Sequence, residues 1–143
     1  MELRTEIEIE AAPAAVWDVL THFASYPEWN PFIVRAKGEL RASERLELTM
    51  SLPDSNREHV VRPRLLLCDA PRELRWLGHL WVKGLFDGEH FFRLHESDPG
   101  RTRLIHGEDV SGLLVRFALG TIAEVTRGFV YMNQALKRRV EQR

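Results

Sequence analysis

From Glu2 to Glu10, charged residues alternate with three apolar residues and one threonine. Leu3, Thr5, Ile7 and Ile9 fall on one face, and Glu2, Arg4, Glu6, Glu8 and Glu10 on the other. A period of two predicts a strand over residues 2–10, half buried in an antiparallel sheet. The period changes at "AAPAAVWDVL", where Pro13 suits a first helical turn. Val16, Leu20 and Phe23 then recur at i, i+4 and i+7 with Trp17 on the flank, which predicts a helix. In "SYPEWNPF", Ser25 and Glu28 have the spacing of a capping box with Pro27 between them, so a second short helix is expected to start at Ser25. Asn30 precedes Pro31 and is pushed out of the helical region, so the stretch reads as a corner of helix, break and strand.

The next eighty residues, 33–112, alternate again. "IVRAKGEL" (33–40), "RLELTMSL" (45–52), "REHVVRPRLLLCDA" (57–70), "LRWLGHLW" (74–81), "EHFFRLHE" (89–96) and "RTRLIHGEDVSG" (101–112) read as strands separated by turn signals such as "PDSN" and "SDPG". The third is expected to be one long strand, with Pro63 marking an edge or a bulge. After Gly112 the period becomes helical to the end of the chain, carried by Ile122, Val125, Phe129, Met132, Leu136 and Val140. Lys137, Arg138 and Arg139 in the last turns oppose the helix dipole favourably. Gly120 and Gly128 each cost about 1 kcal/mol relative to alanine inside a helix, so they serve close packing or leave room for something. The predicted class is α+β: a curved antiparallel sheet of about seven strands around a long C-terminal helix, with two short helices after the first strand.

Composition narrows the partners. The 143 residues suit a single domain spanning 1–143. A net charge of −1 offers no broad attraction to nucleic acid or an anionic membrane. The apolar stretch "SGLLVRFALGTIAEV" is interrupted by Arg116 and too short to span a bilayer, so no stable membrane insertion is expected. The single cysteine, Cys68, allows neither an internal disulfide nor a Cys-based zinc cage, and in "LLLCDA" it reads as a buried small apolar group. "MELRTEIEIE" does not read as a signal peptide, and a cytoplasmic location is expected.

Three segments carry a resemblance to a known family: "IEIEAAPAAVWDVLTHFASYPEWNPFI", "GLFDGEHFFRLHESDPGRTRLIHGEDVSGLL" and "GFVYMNQALKRRVE". Across essentially its whole length the chain resembles the START-like, or SRPBCC, superfamily, in the branch named for polyketide cyclases, dehydrases and lipid transport. The resemblance implies a helix-grip fold with a deep, mostly apolar cavity between sheet and long helix. Lipid and sterol carriers, polyketide aromatases, quinone-binding proteins and chaperone activators share that fold, which does not choose among them.

Alternation identifies the candidate chemistry. His90, Phe92 and Leu94 share one strand face; Leu104, His106, Glu108 and Val110 share a face of the next. With those faces inward, His90, His106 and Glu108 meet among apolar residues across the "SDPG" turn. They then serve as general acid and base, anchor the polar head of a ligand, or satisfy one another within the sheet. The remaining alternative turns this face to solvent, which would expose Phe92, Leu94, Leu104 and Val110 with it. Two histidines and one carboxylate resemble a metal triad, but a flat pair of strands does not converge as such a triad requires; no metal or cofactor is expected. His22, His59, His79 and His95 share no face or spacing and read as surface or loop residues.

The remaining candidates are apolar or amide groups. Trp29 is either a plug under the corner or a residue at a cavity mouth; Met50, Trp76, Phe92, Phe129 and Met132 line a cavity or pack the core. Asn133, one turn beyond Phe129, is a ligand anchor or an ordinary flank position. The function expected is binding of a small hydrophobic or amphipathic molecule such as a lipid, quinone or polyketide. The alternatives are a polyketide cyclase or dehydratase using His90, His106 and Glu108, and a protein-interaction module of the chaperone-activator type. The partner expected is a small hydrophobic molecule rather than nucleic acid, with homodimerisation left open.

Overall fold

The computed structural model describes residues 1–80 and 83–143. Trp81, at the end of the strand expected over 74–81, and Val82 lie outside the described residues. The alternating N-terminus forms β1 (Glu2–Ile9), followed by α1 (Pro13–Thr21), a 3-10 turn over Phe23–Ser25 and the one-turn α2 (Tyr26–Trp29). The strands β2 (Ile33–Lys37), β3 (Glu47–Ser51), β4 (Glu58–Val61), β5 (Arg64–Asp69), β6 (Glu73–Leu80), β7 (Phe86–Asp98) and β8 (Arg101–Ser111) come next, and α3 (Leu119–Glu141) closes the chain. All pairings are antiparallel, in a five-stranded sheet ordered β1-β8-β7-β6-β5 and a three-stranded sheet ordered β2-β3-β4. α3 lies against β1, β8 and α1. The α+β expectation holds. No helix among the described residues is long and apolar enough to cross a membrane.

The strand expected over 57–70 is two strands, which brings the number to eight rather than seven. Pro63 has no N–H to donate and a fixed φ, so the ladder cannot run through it. β4 pairs with β3 on one side of the proline, and β5 pairs with β6 on the other. The seam is held by Leu46 N–H donating to the Pro63 carbonyl at 2.9 Å and Leu65 N–H donating to Glu44 at 2.9 Å.

The corner at "SYPEWNPF" is built differently from the capping box. Ser25 has helical angles (φ −91°, ψ −4°), because the 3-10 turn runs directly into α2, and its side chain caps nothing. Its hydroxyl instead meets His22 Nδ1 at 2.9 Å, and Glu28 accepts from Arg139 at 2.8 Å. The break at Asn30 is as expected: the residue is extended (φ −89°, ψ 112°), and its Oδ1 accepts from the backbone N–H groups of Phe32 (3.0 Å) and Ile33 (2.9 Å). These bonds turn the chain into β2.

The long helix begins at Leu119 rather than just after Gly112; Val115–Phe117 form a separate 3-10 turn. Gly128 serves close packing, since a Cβ there would stand 2.4 Å from the Phe32 ring, whereas one at Gly120 would meet open space. His22, His59, His79 and His95 are all exposed, three of them on strands rather than in loops. Cys68 is half-buried, and burial together with the neighbouring Asp69 carboxylate pushes its thiol pKa up, away from reactive thiolate.

Candidate functional site

A cavity of about 440 Å³ separates the first half of α3 from the sheets. Helix residues Thr121, Ile122, Val125 and Phe129 form one wall. The opposite wall comes from Met50 on β3, Trp76 on β6, His90 on β7, and Glu108 and Val110 on β8. Exposed His59, Arg62, His79 and Phe117 mark the side facing water; the Phe117 ring is 72% exposed. The rest of the lining is mostly apolar, so polar chemistry is concentrated at the inner end around His90 and Glu108.

The strand register produces that end. His90 pairs with Glu108 and Phe92 with His106, so the two histidines are diagonal neighbours on the inward face. Their Nε2 atoms are 2.7 Å apart. His106 Nδ1 meets Asn133 Oδ1 at 2.8 Å, Asn133 Nδ2 donates to Thr5 Oγ1 at 2.8 Å, and the Thr5 hydroxyl donates to the His106 carbonyl at 2.7 Å. At the cavity side, His90 Nδ1 lies 3.4 Å from Glu108 Oε1. Gly88 makes room for that carboxylate: a Cβ there would stand 2.8 Å from Glu108 Oε1.

The chain of bonds has one direction. A carbonyl only accepts, so the single Thr5 proton goes to the His106 carbonyl and the Thr5 oxygen accepts from the Asn133 amide nitrogen. Asn133 Oδ1 therefore faces His106 and accepts from Nδ1–H. Burial holds His106 neutral: its pKa is pushed well below the ordinary 6.5 by desolvation first and the neighbouring His90 second, against a smaller opposing effect of Asn133. A neutral ring protonated at Nδ1 has a bare Nε2, so His90 Nε2–H must donate to it.

Aromatic packing rigidifies the two rings. Trp76 stacks on His90 (4.9 Å, 7° between planes), while Phe92 (4.2 Å, 27°) and Phe129 (4.4 Å, 25°) both stack on His106. Phe129 also meets the His90 ring edge-on at 5.0 Å. His90 is only 3% exposed, whereas the Glu108 side chain is 21% exposed.

Of the residues singled out by pattern, Met50, Trp76, His90, Glu108 and Phe129 stand in the cavity wall. Phe92, His106, Met132 and Asn133 do not; they form a packed layer behind Phe129 and His90, which close the cavity's inner end. Trp29 is also away from the cavity, packed edge-on against Tyr26 (5.2 Å, 70°) as the plug under the corner. Thr5 and Gly88 were not anticipated. A hydroxyl on the otherwise apolar face of β1 and a glycine inside a strand were the available signals.

A sequence model described as "Polyketide cyclase / dehydrase and lipid transport" matches residues 1–141. A search of curated proteins finds no match. Among solved structures, a START superfamily protein from Mycobacterium smegmatis is 20% identical with a TM-score of 0.75, covering 99% of this chain and 97% of that one. The Zhui aromatase/cyclase from Streptomyces sp. R1128 is 16% identical with a TM-score of 0.80, covering 100% and 94%. Protein MLL2253 from Mesorhizobium loti is 17% identical with a TM-score of 0.75, covering 99% and 98%. At these identities the likeness is one of fold.

Proposed function

Because the chain belongs to the polyketide cyclase / dehydrase and lipid transport family, we propose that it binds a small hydrophobic or amphipathic molecule of lipid, quinone or polyketide type between the sheets and α3. The supporting observation is the cavity: about 440 Å³, walled mostly by apolar side chains, with a polar group of His90 and Glu108 at one end. Space of that size suits a small-molecule site. Apolar burial supplies most of the binding energy, at about 25 cal/mol per Å² before ordering costs. His90 and Glu108 orient the polar end of the ligand.

Native mass spectrometry of gently purified protein, followed by solvent extraction, tests this reading. A defined adduct of lipid-like mass is expected on the native chain. Val125 is half-buried in the helix wall, so Val125→Trp fills the cavity and is expected to reduce adduct occupancy at least about tenfold, as loss of roughly 1.4 kcal/mol would. Equal occupancy in both proteins would place the ligand elsewhere and sink the proposal.

A second reading, cyclase or dehydratase chemistry, is favoured by one observation: a carboxylate and an imidazole 3.4 Å apart both face the cavity. Such a pair can take a proton from a carbon next to a carbonyl and return it to a departing hydroxyl. On that reading Glu108→Gln lowers turnover of a poly-β-ketone by about a hundredfold with the thermal midpoint unchanged. Wild-type turnover by that variant would end it. The interaction-module alternative requires a filled or collapsed cavity, and an open one weighs against it.

A further inference from the structure

Resting on the ligand-binding reading above, we propose that Gly78 is the specificity-determining residue of the cavity: it leaves a seat where a planar ring of the ligand lies face-down on bare strand backbone, with one edge turned to Glu108.

Gly78 stands inside β6, on the same inward face as Trp76, and lines the cavity. Glycine loses more conformational freedom on folding than any other residue, so a strand interior keeps one for a left-handed φ, a bulge, a bend or a close approach. The φ of Gly78 lies outside the left-handed region. The register of β6 on β7 runs from Glu73 to Leu80 without a shift, so Gly78 marks no bulge there. The chain does not press against it either: an added Cβ would meet only the Pro63 Cβ, at 3.6 Å, an ordinary contact. Gly88, Gly107 and Gly128 differ, because a Cβ would stand 2.8 Å from Glu108 Oε1, 2.2 Å from the Leu3 carbonyl oxygen and 2.4 Å from the Phe32 ring, respectively. For Gly78 there remain a bend in the strand or a close approach from outside the chain.

Its neighbours favour the close approach. Gly78 pairs directly with Gly88, and Gly88 with Val110, so one row of the sheet lacks a side chain at two adjoining positions. The Glu108 carboxyl group leans into the recess over Gly88, while the recess over Gly78 stays open to the cavity. Elsewhere on the wall, side chains hold a ligand off the backbone. Over Gly78 a ligand reaches the peptide planes at the roughly 3.5–4.0 Å of van der Waals contact. A flat ring makes that contact across its whole face, whereas a puckered ring makes it through a few hydrogens only. Trp76 and Pro63 bound the seat on two sides, and Glu108 supplies its polar edge. A hydroxyl on the ring's edge both donates and accepts, so it is the substituent that suits a carboxyl group there.

The test uses the full chain with 2-naphthol and trans-decahydro-2-naphthol, which share a skeleton and a hydroxyl but differ in flatness. In calorimetric titration 2-naphthol is expected to bind at least about tenfold tighter than the decahydro compound. Gly78→Ala puts a methyl group in the seat. It is expected to weaken 2-naphthol at least about tenfold and to leave the decahydro compound within about threefold. The thermal midpoint should hold or rise, because alanine fits this backbone and restricts the unfolded chain. In proton spectra of wild type, the inward Hα of Gly78 is expected to move upfield as 2-naphthol is added, the ring-current sign of a ring lying over it. Equal binding of the two compounds by wild type would overturn the seat, and so would a downfield or absent shift at Gly78; both readings stand even if the variant does not fold. A Gly78→Ala protein with a lowered midpoint and wild-type affinity for 2-naphthol would make the glycine a bend in β6 and overturn the proposal. If 2-naphthol does not bind, the seat fails, while the cavity reading is decided separately by the native adduct and its loss in Val125→Trp.

Discussion

Phe129→Ala is expected to lower the free energy of unfolding by about 3–5 kcal/mol, toward the upper part of that range. The ring is fully buried where three structures meet: it stacks on His106 at 4.4 Å, meets His90 edge-on at 5.0 Å and meets Phe32 edge-on at 5.6 Å. The cost of truncating an aromatic ring depends on how far the surroundings relax into the void. Relaxation is restricted here on both sides. Gly128 already brings α3 as close to Phe32 as the backbone allows, and His106 is held by Asn133 and by Phe92. The void would also open into the cavity and extend it to the polar layer. Urea denaturation checks this through a lower midpoint at unchanged slope. A loss below about 1 kcal/mol would mean that helix and sheet close over the gap, and the layered packing described above would be wrong.

The sequence-level reading succeeded where the signal was local. The eight-residue alternation of β1 and the three-and-four spacing of α3 each repeat long enough to identify an element and its buried face. The inward faces of β7 and β8 were legible for the same reason, and Phe92, Leu94, Leu104 and Val110 are buried as alternation requires. Register was not legible. The end of β7 carries an irregularity between Glu96 and Asp98, which shifts the pairing by an amount no local pattern reports. The split at Pro63 depended on which sheet each half would join, a non-local choice between β3 and β6. Ser25 had the right spacing for a cap, but a 3-10 turn upstream had already occupied its position. Depth was the hardest property. His106 and Glu108 share one face of one strand, two residues apart, yet one is core and the other cavity wall; the difference lies in where Phe129 crosses the sheet.

His106→Leu separates the structural role of the polar layer from its titration. At pH 7.5 the substitution leaves two buried groups without partners: the His90 Nε2 donor and the Asn133 Oδ1 acceptor. Each costs about 1–3 kcal/mol, so a loss of about 2–6 kcal/mol is expected. Acidification should narrow that deficit. Native His106 stays neutral because burial depresses its pKa well below 6.5, whereas the unfolded chain protonates near 6.5. Below that pH the unfolded state binds the extra proton, so wild-type stability is present above about pH 6.5 and falls as pH drops, by at most about 1.4 kcal/mol per unit from this one group. The carboxylates held below their ordinary values, Glu6, Asp87 and Glu141, give the same sign but act near pH 4.5 and below, outside this window. Leucine has no proton to take up, so the variant lacks this share of the acid slope. Chemical denaturation of both proteins at pH 7.5, 6.5 and 5.5 should show a gap that shrinks by about 1 kcal/mol or more between the first and last values. A gap that stays constant would mean that the buried imidazole does take up its proton in the native state, and the one-way hydrogen-bond chain from Thr5 to His90 could not then stand.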